Sequence, residues 1–415
     1  MKKITLFFRH CADALNRWYK SFRRPETAER DNNSRQREKP SDCLVQMEEF
    51  LNRHYAFRFN QLTEQTEYRE TSDPKNTFRS LGKRDQNTIC MAVCHAGINC
   101  WDRDVARYVN SRNMEEYHPF RLFIDALPAW DGMDRLEMLA LRVSGNPVWV
   151  RGFRRWLLAL MAQWMGTNNA HANSVAPVLV SSVQGIGKST FWKSLLPPQL
   201  QEYYSDSYDP SNPSQAEQKL ARFGLINLDE MDKYSPTRMA TLKNLMQMAS
   251  LNIKKAYQKN YVALPRIASF AATSNYKELL TDPTGSRRFL CVETNKIIDC
   301  TGIDHAQVYA QLKQLILGGK RYWFSKEEEH EIQQNNAAFY RPSPGEEVFR
   351  TCFRAAYLNE TCKELTGMEI FHLMKQRNPS ALQGFSPRAF GKMLSSIGVE
   401  HVHTRMGNRY TVVGI

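Results

Sequence analysis

The sequence predicts an α/β core, a parallel sheet with flanking helices, preceded by a helical domain and followed by a small domain of helices and a β-hairpin. Three observations predict it. Short apolar runs at 176–182, 225–228, 267–273 and 289–293 are separated by helix-length segments, the spacing of strands in a parallel sheet. A glycine-rich turn, Gln184-Gly185-Ile186-Gly187, joins the first run to a helix. On either side of this region apolar residues recur at three- and four-residue intervals instead of alternating.

In chain order, residues 1–42 read as a basic arm and a linker. Residues 3–24 carry Phe7, Phe8, Leu15, Trp18 and Tyr19 among basic residues, the pattern of an amphipathic helix or a short basic arm. Residues 25–42 hold Pro25, Pro40 and no aliphatic side chain larger than alanine, too little apolar surface to order a segment. Residues 43–165 read as a helical domain. Val45, Met47, Phe50 and Leu51 mark one helix face, then Ile89, Val93 and Cys94, then Val105, Tyr108 and Val109. His118-Pro119-Phe120 interrupts the pattern. Trp130-Asp131-Gly132-Met133-Asp134-Arg135-Leu136 is a turn entering a helix, and 150–165 is a strongly apolar helix.

Residues 166–340 form the expected α/β domain. Arg341-Pro342-Ser343-Pro344-Gly345 then leads into 341–415. There, helices over 346–358, 366–374 and 386–395 precede a hairpin of 399–403 with 409–413. That succession predicts a winged helix, with Arg388 and Lys392 toward a DNA groove and Arg405 and Arg409 on the wing.

Composition narrows the function. The chain of 415 residues has 56 Lys+Arg against 43 Asp+Glu, a formal charge of +13, which favours a polyanionic partner. Its 9 cysteines are scattered rather than set in CxxC pairs, which reads as reduced thiols and excludes a disulfide framework. Cys90, Cys94, His95 and Cys100 lack the second ligand pair of a zinc site, and Cys90 and Cys94 fall at helical spacing. No apolar run reaches the ~18 residues of a membrane span. The stretch after Met1-Lys2-Lys3 is stopped by Arg9, short of a secretory leader. A cytoplasmic protein is expected.

The chemistry begins at Gln184-Gly185-Ile186-Gly187-Lys188-Ser189-Thr190, between a strand and a helix. Backbone N–H groups can wrap a phosphate closely only where no side chain intrudes, which calls for glycine. The helix start adds its positive end. Lys188 is placed for the β- and γ-phosphates of ATP, and the Ser189 hydroxyl for Mg²⁺. The consensus P-loop opens on a glycine where this chain has Ser182. Downstream, Leu225-Ile226-Asn227-Leu228 delivers Asp229 and Glu230, the first suited to hold Mg²⁺ and the second to polarise the attacking water. Phe270-Ala271-Ala272-Thr273-Ser274 delivers Asn275, suited to orient that water. Arg287 and Arg288 follow a glycine turn, where one guanidinium can reach a neighbouring subunit's γ-phosphate.

In that order these motifs resemble the virulence-associated protein E family, which sits within or beside the superfamily 3 helicases of viruses, phages and mobile elements. The likeness extends to Tyr117-His118-Pro119-Phe120, to the 130–136 segment, and to Val308-Tyr309-Ala310-Gln311 and Tyr322-Trp323-Phe324, covering about residues 45–340. The resemblance implies an AAA+-like, ring-forming ATPase, commonly a hexamer, that engages DNA during replication of a mobile element or phage. It implies a basic hairpin in the ring channel, here holding Lys254, Lys255, Tyr257, Lys259 and Arg266, where cations and an aromatic suit single-stranded DNA. Only some 45 residues precede the helical region, so priming is expected to fall to a separate primase or replication protein. The leading expectation is an ATP-hydrolysing DNA helicase or translocase. The alternative is a nucleotide-switched DNA-binding regulator, initiator, loader or defence ATPase without unwinding activity.

Overall fold

The computed structural model describes residues 40–75, 77–167, 171–254, 260–282, 286–355, 362–380, 382, 386–405 and 407–415. The expected arm at 3–24 and most of the linker lie outside them. The linker's last residues belong instead to the first helix, where Asp42 sits in the favourable first turn.

The chain divides into two compact units. The smaller draws its described residues from 40–56, 69–77 and 81–111. Its helices are α1 (Pro40–His54), α2 (Lys83–His95) and α3 (Asp102–Val109). Met47, Leu51, Ile89, Val93, Val105 and Val109 are buried, and the Tyr108 hydroxyl donates to Asn52 Oδ1 at 2.9 Å.

Short strands follow the first helix: β1 (Tyr55–Asn60), β2 (Gln65–Glu70), β3 (Arg79–Ser80) and β4 (Glu115–Tyr117) form a sheet in the order β3-β2-β1-β4. The reading of 43–165 as a mostly helical domain does not include these strands. The strands are short and half polar, as Gln65-Thr66-Glu67-Tyr68 shows, so no apolar alternation advertised them. Their pairing is held by buried polar groups. Asn60 Nδ2 donates to Glu67 Oε1 at 2.8 Å, to the Tyr117 hydroxyl at 3.0 Å and to the Tyr203 hydroxyl at 2.8 Å.

The remaining elements belong to the larger unit. They are α4 (Pro119–Asp125), α5 (Arg135–Leu141), α6 (Pro147–Met165), β5 (Ala176–Val180), α7 (Lys188–Ser194), β6 (Tyr204–Ser205), α8 (Pro213–Arg222), β7 (Leu225–Leu228), α9 (Pro236–Leu245), β8 (Ser250–Lys254), β9 (Tyr261–Pro265), β10 (Ser269–Ser274), β11 (Phe289–Glu293), α10 (His305–Leu317) and α11 (Lys326–Asn335). The central sheet runs β11-β5-β10-β7-β6 with every pairing parallel. Side chains alternate between its faces. Ala271, Leu290 and Val292 join one core with α4–α7 and α10, whereas Phe270, Ala272 and Cys291 join a second with α8 and α9. The result is an α/β layered core of NTPase type.

Residue 165 is therefore no boundary. Helix α6 lies in the core, with Trp149, Phe153, Trp156 and Leu160 fully buried. Trp156 Nε1 donates to Phe270 O at 3.1 Å, and a Cβ at Gly152 would come within 2.6 Å of Leu290 Cδ2. Third-strand pairing begins at Ser269 and not Ile267, because the Ile267 and Ala268 N–H groups both donate to Leu220 O.

The C-terminal stretch has its own core of Phe349, Phe371, Met374, Phe390, Leu394, Tyr410 and Val412. It contains α12 (Pro344–Cys352), β12 (Phe353–Ala355), β13 (Lys363–Thr366), α13 (Gly367–Arg377), α14 (Pro387–Ser396), β14 (His401–Thr404) and β15 (Gly407–Gly414). The expected hairpin is present as β14-β15. The helix expected through residue 358 stops at Cys352, because Phe353–Ala355 pair with β15 instead. Strand β13 pairs with the same strand and was not expected. Among the described residues no helix is long and apolar enough to cross a membrane.

Candidate active site

The P-loop joins β5 to α7. Gly185 has φ 76° and Gly187 φ 94°, left-handed values that a Cβ would strain. A Cβ at Gly187 would also press to 3.4 Å from Cys300 Sγ and Ile298 O. The loop is braced from behind, since the Ile298 N–H donates to Ile186 O at 2.9 Å. Ser182 is not among the described residues with positive φ, so serine is tolerated where the consensus has glycine.

Three sequence motifs meet here. Residues 184–190, Asp229, Glu230 and Asn275 line a single cleft of ≈ 260 Å³, together with Thr273. Lys188 is buried and its Nζ donates to Ser181 O at 3.0 Å and Asn275 Oδ1 at 2.9 Å. Burial pulls its pKa down, against the opposing pull of Asp229 and Asp232. The Ser189 hydroxyl donates to Asp229 Oδ1 at 2.9 Å. Glu230 takes a left-handed backbone, φ 50°, and its Oε2 accepts from Lys233 Nζ at 2.5 Å.

Two contributors escaped the sequence reading. Thr273 Oγ1 donates to Asp229 Oδ1 at 2.6 Å and accepts from the Glu230 N–H at 3.2 Å, so it holds the Asp229 carboxylate and the Glu230 backbone. Asp232 Oδ1 accepts from Ser274 Oγ at 2.9 Å and from the Asn275 N–H at 3.3 Å, which fixes the residue that meets Lys188. The signal for Thr273 was its place opposite Asp229 on the neighbouring strand, a register only the fold supplies. The sheet order puts β10 between β5 and β7, and so carries Asn275 between the P-loop and the acidic pair.

Other predicted residues lie elsewhere. Arg287 and Arg288 do not line their own chain's cleft. Arg287 is exposed and pairs with Glu329 at 3.2 Å, whereas burial and its neighbour Arg287 lower the pKa of Arg288. Lys254 is exposed at the end of β8, and Lys255, Tyr257 and Lys259 fall outside the described residues. Arg266 is not a surface cation of the hairpin. It is fully buried, and its guanidinium donates to the carbonyls of Ala268, Leu245, Met246, Met248 and Asn173. Burial lowers its pKa to about 10.

Arg388, Lys392, Arg405 and Arg409 are all exposed. Cys90 is buried beside Ile89 and Val93, whereas Cys94, one turn on, is exposed. Among the described residues no group of three or more His, Cys, Asp or Glu is placed to hold a metal. The 130–136 segment is structural. Asp131 and Arg135 form a two-point ion pair at 2.7 Å, and Asp134 caps α5 while accepting from Gln311 Nε2.

A parallel sheet with flanking helices, carrying these motifs at the ends of adjacent strands, defines a protein with an α/β NTPase-like core. The chain belongs to the virulence-associated protein E-like family, whose domain model matches residues 124–341, just over half of its length. Residues 342–412 match a model of a domain of unknown function described from a B. Theta gene (DUF3874). Similar solved structures include an apo structure of the NrS-1 C terminal region (305–718), 13% identical with a TM-score of 0.43, covering 91% of this chain and 100% of that one. The A form apo structure of the same region is 14% identical with a TM-score of 0.42, covering 90% and 100%. No curated protein matches the chain.

Proposed function

We propose that this protein binds and hydrolyses ATP and uses the cycle to move along or unwind DNA during replication of a mobile element or phage. One observation carries the reading: Lys188, the Ser189–Asp229 pair, Glu230 and Asn275 converge on a single cleft beside the glycine loop. Lys188 gives up its contacts with Asn275 and Ser181 O to the β- and γ-phosphates. Asn275, released, orients the attacking water, and Glu230 accepts its proton. Ser189 Oγ and Asp229 Oδ1 are adjacent oxygen donors of the kind Mg²⁺ takes, and they fit that cation. Bound there, Mg²⁺ would neutralise phosphate charge.

Arg287, exposed and outside its own cleft, suits action on the γ-phosphate of a neighbouring copy in a homo-oligomeric ring, taken here as a hexamer. The exposed Lys254, Arg388, Lys392, Arg405 and Arg409 fit DNA contact, the last four on a C-terminal domain read as a winged helix.

The test is ATP hydrolysis with and without single-stranded DNA. Stimulation by DNA, lost in Lys188→Ala, is expected. An equal rate with and without DNA defeats the motor reading. DNA stimulation without separation of a forked duplex assigns the nucleotide-switched regulator instead.

A further inference from the structure

A second cavity, of ≈ 560 Å³, opens at the base of the β8–β9 hairpin. Its volume is within the ~300–1,000 Å³ of small-ligand pockets. It is separate from the P-loop cleft. Ile267 lines one and Thr273 the other, six residues apart along an extended segment, or about 20 Å.

Its wall divides by chemistry. Leu62, Ile253, Leu264 and Ile267 supply an apolar floor. Arg121 on α4 and Arg222 on α8 supply guanidinium groups at the rim. Neither guanidinium has an ion-pair partner among the described residues, and Glu64 is the carboxylate in the lining. His118 Nδ1 accepts from the Arg121 N–H at 3.5 Å, so the ring proton belongs on Nε2, which has no hydrogen-bond partner among the described residues. Burial and Arg121 lower the His118 pKa to about 4, so the ring is a neutral donor near pH 7. An apolar slot edged by two unpaired guanidinium groups and a neutral N–H donor takes a flat ring attached to a phosphate. At the far end of the same hairpin, Lys254 stands opposite Tyr261, which is exposed. A cation beside an aromatic suits a strand passing on toward the cavity.

We infer that this cavity binds one nucleotide, its base on the floor of Leu62, Ile253, Leu264 and Ile267 and its phosphate held by Arg121 and Arg222. The ligand is either one unit of a single strand or a free nucleotide. The site goes beyond the P-loop reading, with which it shares only DNA as partner. It gives the Tyr117-His118-Pro119-Phe120 segment a role that the ATP site does not.

The experiment uses the full chain carrying Lys188→Ala, so that the P-loop contributes little. It is titrated with a fluorescent oligothymidylate of about 12 nucleotides and, separately, with thymidine monophosphate. Arg121→Ala with Arg222→Ala should weaken oligonucleotide binding at least about tenfold and flatten the dependence of log K on log salt by about 1–2 units. Ala221→Phe, which fills the cavity and removes no charge, should weaken it as well. Loss with the oligonucleotide alone assigns the strand, and loss with both probes assigns any nucleotide. If both variants bind like the parent, the cavity proposal is overturned while the DNA reading stands. If the parent binds neither probe, both are overturned.

Discussion

The P-loop cleft and the hairpin-base cavity lie at opposite ends of β10 and follow opposite electrostatic plans. In the cleft, each charged side chain already has a protein partner: Lys188 has Asn275, Asp229 has Ser189 and Thr273, and Glu230 has Lys233. In the cavity, Arg121 and Arg222 have no ion-pair partner among the described residues. Paired groups hold their positions before any ligand arrives, so they suit chemistry that depends on placement to a fraction of an ångström. Unpaired cations at a rim give up only water and counterions, so they suit salt-sensitive capture of an anion.

The largest expected effect tests the paired region. Lys188→Ala should lower ATP hydrolysis by about 10²–10³-fold or more, since it removes a preorganised cation from the phosphates. It should leave nucleotide-free DNA binding unchanged, and a steady-state hydrolysis assay beside a DNA titration reads both.

Next in size is a contrast between two kinds of arginine. Arg266→Ala should cost about 3–5 kcal/mol in denaturant unfolding, because it strands buried carbonyls and empties the core. Arg121→Ala should stay within about 0.5 kcal/mol, as exposed substitutions do. Similar losses at the two positions would break the division between structural and binding cations.

Thr273→Val should slow hydrolysis by roughly tenfold, a shift of about 1.4 kcal/mol in barrier, by freeing Asp229 and the Glu230 backbone. The predicted signature is a fall in kcat with little change in KM.

The smallest effect concerns pH. The folded pKa of His118 is about 4, against an ordinary value of 6.5. Above pH 6.5 the ring is neutral in both the folded and the unfolded chain and contributes no penalty. As pH falls toward 4 the unfolded chain takes up the proton first, so stability declines through that window and the loss is complete below it. Arg121 repels the added charge, and Arg222 and Glu64 are the other charged groups in the lining of the same cavity. The melting temperature of the parent should fall more steeply than that of His118→Phe as pH is lowered from about 7 to 4, because only the parent carries the titrating ring.

Much of this was legible because it is local. A strand, a glycine turn and a helix are neighbours in the chain, so Gly185, Gly187 and Lys188 announced themselves. Strand β11 was also read at Phe289–Glu293, since a run of apolar residues bounded by polar ones needs no partner to be seen. The small sheet β1–β4 was missed because its strands are half polar and its cohesion comes from Asn60, Glu67 and Tyr117, which meet across long separations. The same interval that was read as a basic hairpin contained Arg266, and nothing in its residue type separates a buried guanidinium from an exposed one.

The sequence by itself determined the α/β class, the P-loop and the order of the acidic pair and Asn275. These depend on backbone propensity and on short-range pattern. Only the tertiary structure decided that α6 belongs to the core, that Thr273 rather than a neighbour holds Asp229, that Arg266 is a structural residue, and that His118, Arg121 and Arg222 share one cavity. Each of these depends on which strand lies beside which, and that choice is made by burial over the whole sheet.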